Sequence, residues 1–294
     1  MPGTFVDVEI ASQPDLWERA SALLPEVESR LPRTGERVAV VGCGTSWFVA
    51  QSYATLRETR GAGVTDAFVA SEFPAGRRYD RVVALSRSGT TTEVIDLLRA
   101  LDGAPSLLVT GVEDSPAGAL ASETLVLDFA DEESVVQTRF ATTTLALLRA
   151  HLGEDVAAVA DQGRRALELD LSALLDADQV TFLGRGWSVG LASEAALKTR
   201  EAARFWAEAY PAMDYRHGPF AIAEPGRLVW ALGEVPEGLA EEVAGTGATF
   251  VHHELDAMAG LVVAQRFAVA LAKGRGLDPD RPRSLTRSVV LSGD

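Results

Sequence analysis

The 294-residue chain has one cysteine, Cys43, and four histidines. A single thiol excludes an internal disulfide, and so little sulfur and imidazole leaves scant material for a zinc site. His252 and His253 are adjacent in a strand-like run, where neighbouring side chains point to opposite faces, so they form a poor chelating pair and no metal is expected. Basic charge is also short: 27 lysines and arginines stand against 42 aspartates and glutamates, a net charge of −15. Nucleic acid and anionic membrane surfaces both demand a basic footprint, so neither is an expected partner. Any anionic ligand must be held locally. The N-terminal stretch lacks the basic-then-apolar pattern of a signal peptide, and no apolar run approaches a membrane span, which points to the cytoplasm.

What is present reads as a globular chain, 47% hydrophobic and 23% charged, long enough for two α/β domains. Short β-branched runs at 37–41, 64–69, 81–85, 106–110 and 124–127 alternate with helical patterns, the texture of βαβ units and a parallel sheet. From 142 to 175 the pattern is nearly continuous helix, broken near Gly153, and then the first texture returns. The stretch RVAVVGCGTSWFVAQSYATL from Arg37 and the stretch QVTFLGRGWSVGLASEAALK from Gln179 share one plan. Each is a strand, a G-x-G turn and a long helix. That is an internal repeat of a whole domain, too long for a solenoid. The expected organisation is an N-terminal helical segment (1–36), a first α/β subdomain (37–150), a helical connector (151–176), a second subdomain (177–274) and a C-terminal tail (275–294). The G-x-G pair alone does not indicate a nucleotide, because the third glycine of the dinucleotide fingerprint is missing.

LSRSGTTTEVIDLL, beginning at Leu85, places hydroxyl side chains between a buried-strand pattern and a helix whose apolar face is Val94, Leu97, Leu98 and Leu101. A strand-to-helix turn presents backbone N–H groups and the positive end of the helix dipole. One cap needs one hydroxyl, from Ser88 or Thr91, with Glu93 in the first turn. The excess points to an anion cradle for a phosphate. The matching turn of the second half, LVWALGEVPEGL, has neither serine nor threonine, so one ligand site per chain is expected.

GCGTSW, ASEF, SRSGTT, LGRG, EAALKTRE, AEAY and RHGP occur in the order and spacing of the sugar isomerase (SIS) superfamily. The chain resembles the isomerase half of glutamine–fructose-6-phosphate aminotransferase and its stand-alone relatives, the amino-sugar-phosphate deaminases and fructosamine-phosphate deglycases. The resemblance runs from about Arg37 to Ser288. It implies two doubly wound, flavodoxin-like SIS subdomains with parallel sheets, a phosphorylated sugar or amino sugar as ligand, no cofactor, and a homodimer with shared active sites. It also implies a chain without the glutaminase domain, unable to draw ammonia from glutamine by itself. By the same resemblance the phosphate lies on Ser86, Ser88 and Thr91, with Cys43, Gly44, Thr45 and Ser46 contacting the ligand. Glu201 corresponds to the base that moves a proton between C1 and C2, His217 to the residue that opens the ring, and Glu194 and Lys198 to the helix pattern beside them.

Three positions depart from the aminotransferase pattern. Arg87 stands where a glutamine separates the two serines, and as a fixed positive donor it suits phosphate or a second acidic group. Gly-Thr-Thr replaces the usual Gly-Glu-Thr. Arg287 occupies the place of a lysine that forms a Schiff base, which a guanidinium does not form. Release of ammonia or an amine is thereby favoured over synthesis.

Spacing supports part of this independently. Glu194, Lys198 and Glu201 fall at i, i+4 and i+7 on one helix face, equally the pattern of acid–base equipment or of a solvated charge ladder. His217 precedes a Gly-Pro turn, where functional groups concentrate; otherwise it is a structural histidine. Phe205, Trp206, Tyr210 and Tyr215 beside it read either as a contact with a partner chain or as intrachain core. The function expected is a sugar-phosphate isomerase-type enzyme acting on an amino-sugar 6-phosphate or fructosamine 6-phosphate. The alternatives are a simple aldose–ketose phosphate isomerase and a non-catalytic sugar-phosphate sensor.

Overall fold

A computed structural model describes residues 4–74 and 76–291. The chain divides into two compact units, Asp15–Val156 with Thr286–Asp294, and Met1–Pro14 with Ala157–Leu285.

The first unit carries β1 (Val38–Gly42), β2 (Thr65–Val69), β3 (Arg81–Leu85), β4 (Ser106–Thr110) and β5 (Glu123–Val126) in one sheet of order β2-β1-β3-β4-β5. Every pairing is parallel, with Val41 opposite both Phe68 and Ala84. β1, β3 and β4 are buried at every position, as continuous β-branched runs covered on both faces should be. Of its helices, α1 (Phe5–Ala22) straddles the two units and α2 (Leu24–Val27) is a single turn. α3 (Thr45–Thr59), α4 (Thr92–Ala100) and α5 (Arg139–His151) follow. Val94, Leu97 and Leu98 of α4 are buried against Val82, Ala84 and Leu108. Proline at position 14 lies inside α1 and cannot donate to the Ile10 carbonyl. The Gln13 amide donates to it instead, at 3.2 Å.

The second unit carries β6 (Gln179–Gly184), β7 (Ala207–Pro211), β8 (Arg227–Leu232) and β9 (Thr249–His252), also all parallel, in the order β7-β6-β8-β9. Its helices are α6 (Val156–Ala166), α7 (Ser188–Ala203), α8 (Leu239–Gly245) and α9 (Ala257–Gly274). In both sheets the first strand is central, the second lies to one side and the third to the other, the flavodoxin-like order. The repeat read from the two G-x-G stretches is therefore a repeat of topology.

The same steric demand explains both G-x-G turns. A Cβ on Gly42 would lie 2.7 Å from the Ser46 backbone, and one on Gly184 would lie 2.3 Å from the Ser188 carbonyl. The second glycine of each pair, Gly44 or Gly186, has a positive φ of 54° or 56°, which favours glycine.

Two sequence expectations need correction. The helical pattern from 142 to 175 ends at Ala166, and beyond it lies only a 3-10 turn at Ser172–Leu174. Second, α9 is long and apolar enough, at mean hydropathy 1.3, to pass for a membrane span; 78% of it is buried in the fold, as in a core helix.

Candidate functional site

In this strand order the crevice beyond the carboxyl ends of the two central neighbouring strands is the usual place for a ligand. In the first unit β1 ends at Gly42 and β3 at Leu85, so the two candidate loops, 43–46 and 86–91, leave adjacent strands. Gly44 opens α3 and Thr91 opens α4, and neither helix start has a side-chain cap. The hydroxyls of the turn are thus not occupied in capping. Ser86, Ser88, Thr45 and Ser46 are all buried. Ser88 Oγ accepts from the Thr90 amide at 3.2 Å and from the Thr90 hydroxyl at 2.9 Å. Ser86 Oγ is buried and has no hydrogen-bond partner among the described residues. A buried hydroxyl left unpaired is costly and calls for an explanation. Gly89, at φ 61°, gives the turn its shape, and a Cβ there would lie 2.2 Å from Ser115 Oγ.

Cys43 is half-buried. Burial, followed by the Glu93 carboxylate, pushes its thiol up, so it remains a thiol and packs as a small apolar residue.

The C-terminal strap, 286–291, lies on this turn. The Thr90 and Ser288 hydroxyls are hydrogen-bonded to each other at 2.8 Å, the Thr92 amide donates to the Val289 carbonyl at 3.2 Å, and the Leu291 amide donates to Thr92 Oγ1 at 2.9 Å. Arg287, at the Schiff-base position of the resemblance, forms an ion pair with Asp131 and donates to the Glu132 carbonyl. Arg87 has a buried guanidinium 3.6 Å from the Glu132 carboxylate. It also donates to the carbonyls of Ser134 at 3.2 Å and Arg287 at 2.7 Å. Its fixed charge is thus engaged inside the unit.

Glu132, Asp131, Thr90 and Ser288 were not singled out from sequence. Glu132 Oε1 accepts from the Thr138 amide at 2.5 Å, the Thr138 hydroxyl at 2.9 Å and the Arg139 amide at 2.7 Å. It therefore caps α5 from six residues upstream, outside the spacing of any local capping pattern.

The second unit holds the ionic cluster. Lys198 and Glu194 on α7 are each 1% exposed, which is not a solvated ladder. Lys198 Nζ lies 3.5 Å from Glu194 and 2.5 Å from Glu201, whose side chain keeps 19% of its exposure. The lysine holds the one accessible carboxylate in a charge-assisted hydrogen bond. His217, on the 3-10 turn Asp214–His217, is exposed.

Burial distinguishes the two readings of the aromatic segment. Tyr215 is fully buried and packs against Tyr210 and Phe220. Phe205 is buried against Phe267 edge-on, with Arg275 over its ring. Both are core, and of the four aromatics only Trp206 is well exposed, at 48%. They carry no argument for a partner contact. Among the described residues no group of three or more His, Cys, Asp or Glu side chains is placed to hold a metal ion.

Residues 33–152 match the SIS domain family. The chain carries a SIS domain match over that span, and its two parallel-sheet α/β units match the fold of its SIS-type structure neighbours. It is 27% identical over 92% of its length to glutamine–fructose-6-phosphate aminotransferase (isomerizing) from Sulfolobus acidocaldarius, of which it covers 52%. The chain spans about half the length of the curated relatives it matches. Among solved structures, glucosamine-6-phosphate deaminase from Thermotoga maritima superposes with a TM-score of 0.82 at 26% identity, over 98% of this chain and 100% of that one. The C-terminal domain of glucosamine-fructose-6-phosphate aminotransferase from Francisella tularensis shares the fold, with a TM-score of 0.79 at 19% identity over 95% and 98% of the two chains.

Proposed function

We propose that this chain is an enzyme of the phosphosugar isomerase type that acts on an amino-sugar 6-phosphate or a fructosamine 6-phosphate. The carrying observation is Ser86 Oγ, buried and unpartnered, in a hydroxyl-lined turn at the crevice between β1 and β3. A phosphate oxygen is the acceptor that accounts for it. Ser88, Thr91, Thr45, Ser46 and the backbone at Cys43 and Gly44 complete the ligand loops.

His217 assists ring opening, which exposes the aldehyde at C1. Glu201 takes the proton from C2 and returns it to C1, which turns a 2-amino aldose into a 2-imino ketose. Water then hydrolyses the imine to the ketose phosphate and ammonia. Lys198 orients Glu201 for both transfers. The engagement of Arg287 by Asp131 and Glu132, together with the inability of guanidinium to form an imine, favours release over synthesis. The test is incubation with a panel of amino-sugar 6-phosphates while ammonia is measured. Ammonia from one of them supports deamination. Aldose–ketose interconversion of a hexose 6-phosphate that carries a hydroxyl at C2, with no ammonia from the amino sugars, indicates the simple isomerase, and tight binding without turnover the sensor.

The site is further proposed to be shared between two copies of the chain, with the exposed His217 reaching the partner's site. Glu201→Gln and His217→Ala chains, each inactive alone, would then recover about a quarter of wild-type activity on random mixing, because half the dimers are mixed and each has one intact site. Mixed dimers that stay inactive would place His217 in its own chain's site.

A further inference from the structure

Arg87 and the strap it touches are separated by about 200 residues in sequence, yet three segments converge on this guanidinium. It leaves the turn between Ser86 and Ser88. It pairs with Glu132, which is completely buried and holds the start of α5. Its other amino group donates at 2.7 Å to the backbone carbonyl of Arg287. The Arg287 side chain returns to the same place, to the Glu132 carbonyl and the Asp131 carboxylate. The two arginines therefore make a shared latch: Arg87 donates to the strap that carries Arg287, and Arg287 donates to residues 131–132, where Arg87 also pairs with the Glu132 carboxylate.

We propose that Arg87 is a positioning residue that ties the phosphate turn to the C-terminal strap, so that strap docking and ligand binding at the turn are coupled. The coupling half of this inference rests on the phosphate reading of the turn; the docking half does not. A glutamine at this position, as in the aminotransferase pattern, has one amide group and cannot bridge a carboxylate and two separate carbonyls as guanidinium does. Because a rigid latch links the two elements, a ligand that orders the turn favours the docked strap, and docking raises affinity by the same factor.

Hydrogen exchange of the full-length protein, free and with glucosamine 6-phosphate or inorganic phosphate, tests both halves. The reporting amides are Thr92, which donates to Val289, and Leu291, which donates to Thr92. In free Arg87→Ala, exchange at 286–291 should rise about tenfold or more, the loss expected for charge-assisted hydrogen bonds. β4 and β5 should keep their protection. Arg287→Ala should do the same, and the double variant should add little, since both changes open one latch. Arg87→Lys, which keeps a cation beside Glu132, should recover part of the protection and guards against misfolding of the alanine variant. A strap as protected in Arg87→Ala as in wild type would overturn the latch, as would exchange that rises evenly through the unit. If wild type binds neither ligand, the phosphate reading fails while the exchange of the free protein still decides the latch. If wild type binds and the latch variants bind equally well, the coupling is wrong and the phosphate reading stands.

Discussion

Replacing Ser86 by alanine should separate binding from stability. In the free protein Ser86 Oγ is buried with no partner, a situation that costs about 1–3 kcal/mol relative to a solvated hydroxyl. Removing it should leave the free protein as stable as wild type, or more stable by about 1 kcal/mol, an increase of about 2–4 °C in melting temperature for domains of this size. Ser88 differs, because its Oγ accepts from both the amide and the hydroxyl of Thr90. Ser88→Ala should cost about 1 kcal/mol in the free protein. Both changes remove a donor to a charged acceptor, worth about 1.5–3 kcal/mol, so each should weaken hexose 6-phosphate binding about tenfold or more. Thermal unfolding with and without ligand, together with calorimetry, measures both quantities. A Ser86→Ala protein that loses stability and binds hexose 6-phosphate unchanged would refute the reasoning, because the hydroxyl would then serve the fold.

Three further outcomes follow from the same structure. Lys198→Met should destabilise the second unit by about 3–5 kcal/mol, because it removes the cation from a buried pair; denaturant unfolding reads this, and an unchanged midpoint would contradict it. Burial holds His151 and His253 below their ordinary value of 6.5, so the unfolded chain binds protons more readily and stability should fall as pH drops below about 6.5. His253→Gln should flatten that acid-side decline in thermal unfolding, and a steeper decline would reverse the sign assigned here. Gly89→Ala should abolish phosphate binding, since the left-handed backbone and the 2.2 Å approach to Ser115 Oγ both oppose a side chain; calorimetry checks it, and wild-type affinity would show that the turn tolerates distortion.

The parts of the fold that depend on local pattern were legible in the sequence. Buried parallel strands read as short β-branched runs because both of their faces are covered, and the two G-x-G turns marked the repeat because each glycine answers a steric demand. The hydroxyl turn was legible for the same reason, since it joins one strand to the next helix. What was not legible depends on long-range placement. Nothing in the local pattern around Glu132 announces that it caps α5 and pairs with Arg87, or that Ser288 returns to Thr90. Tyr215 and Phe205 admitted two readings because aromatic side chains are favoured both in cores and at interfaces. The charge series on α7 was ambiguous until burial distinguished a solvated ladder from a buried lysine holding a carboxylate.

The central chemical claim is that Glu201 moves a proton between C2 and C1 of a phosphorylated sugar. Solvent deuterium incorporation at C2, followed for wild type and Glu201→Gln with an amino-sugar 6-phosphate, tests it most directly. The amide keeps the shape of the side chain and loses its capacity to take a proton from carbon. Glu201 as the base predicts incorporation in wild type and none above background in the variant, with binding retained. Normal incorporation in Glu201→Gln would contradict it and move the base to another residue, with Glu194 the first to examine.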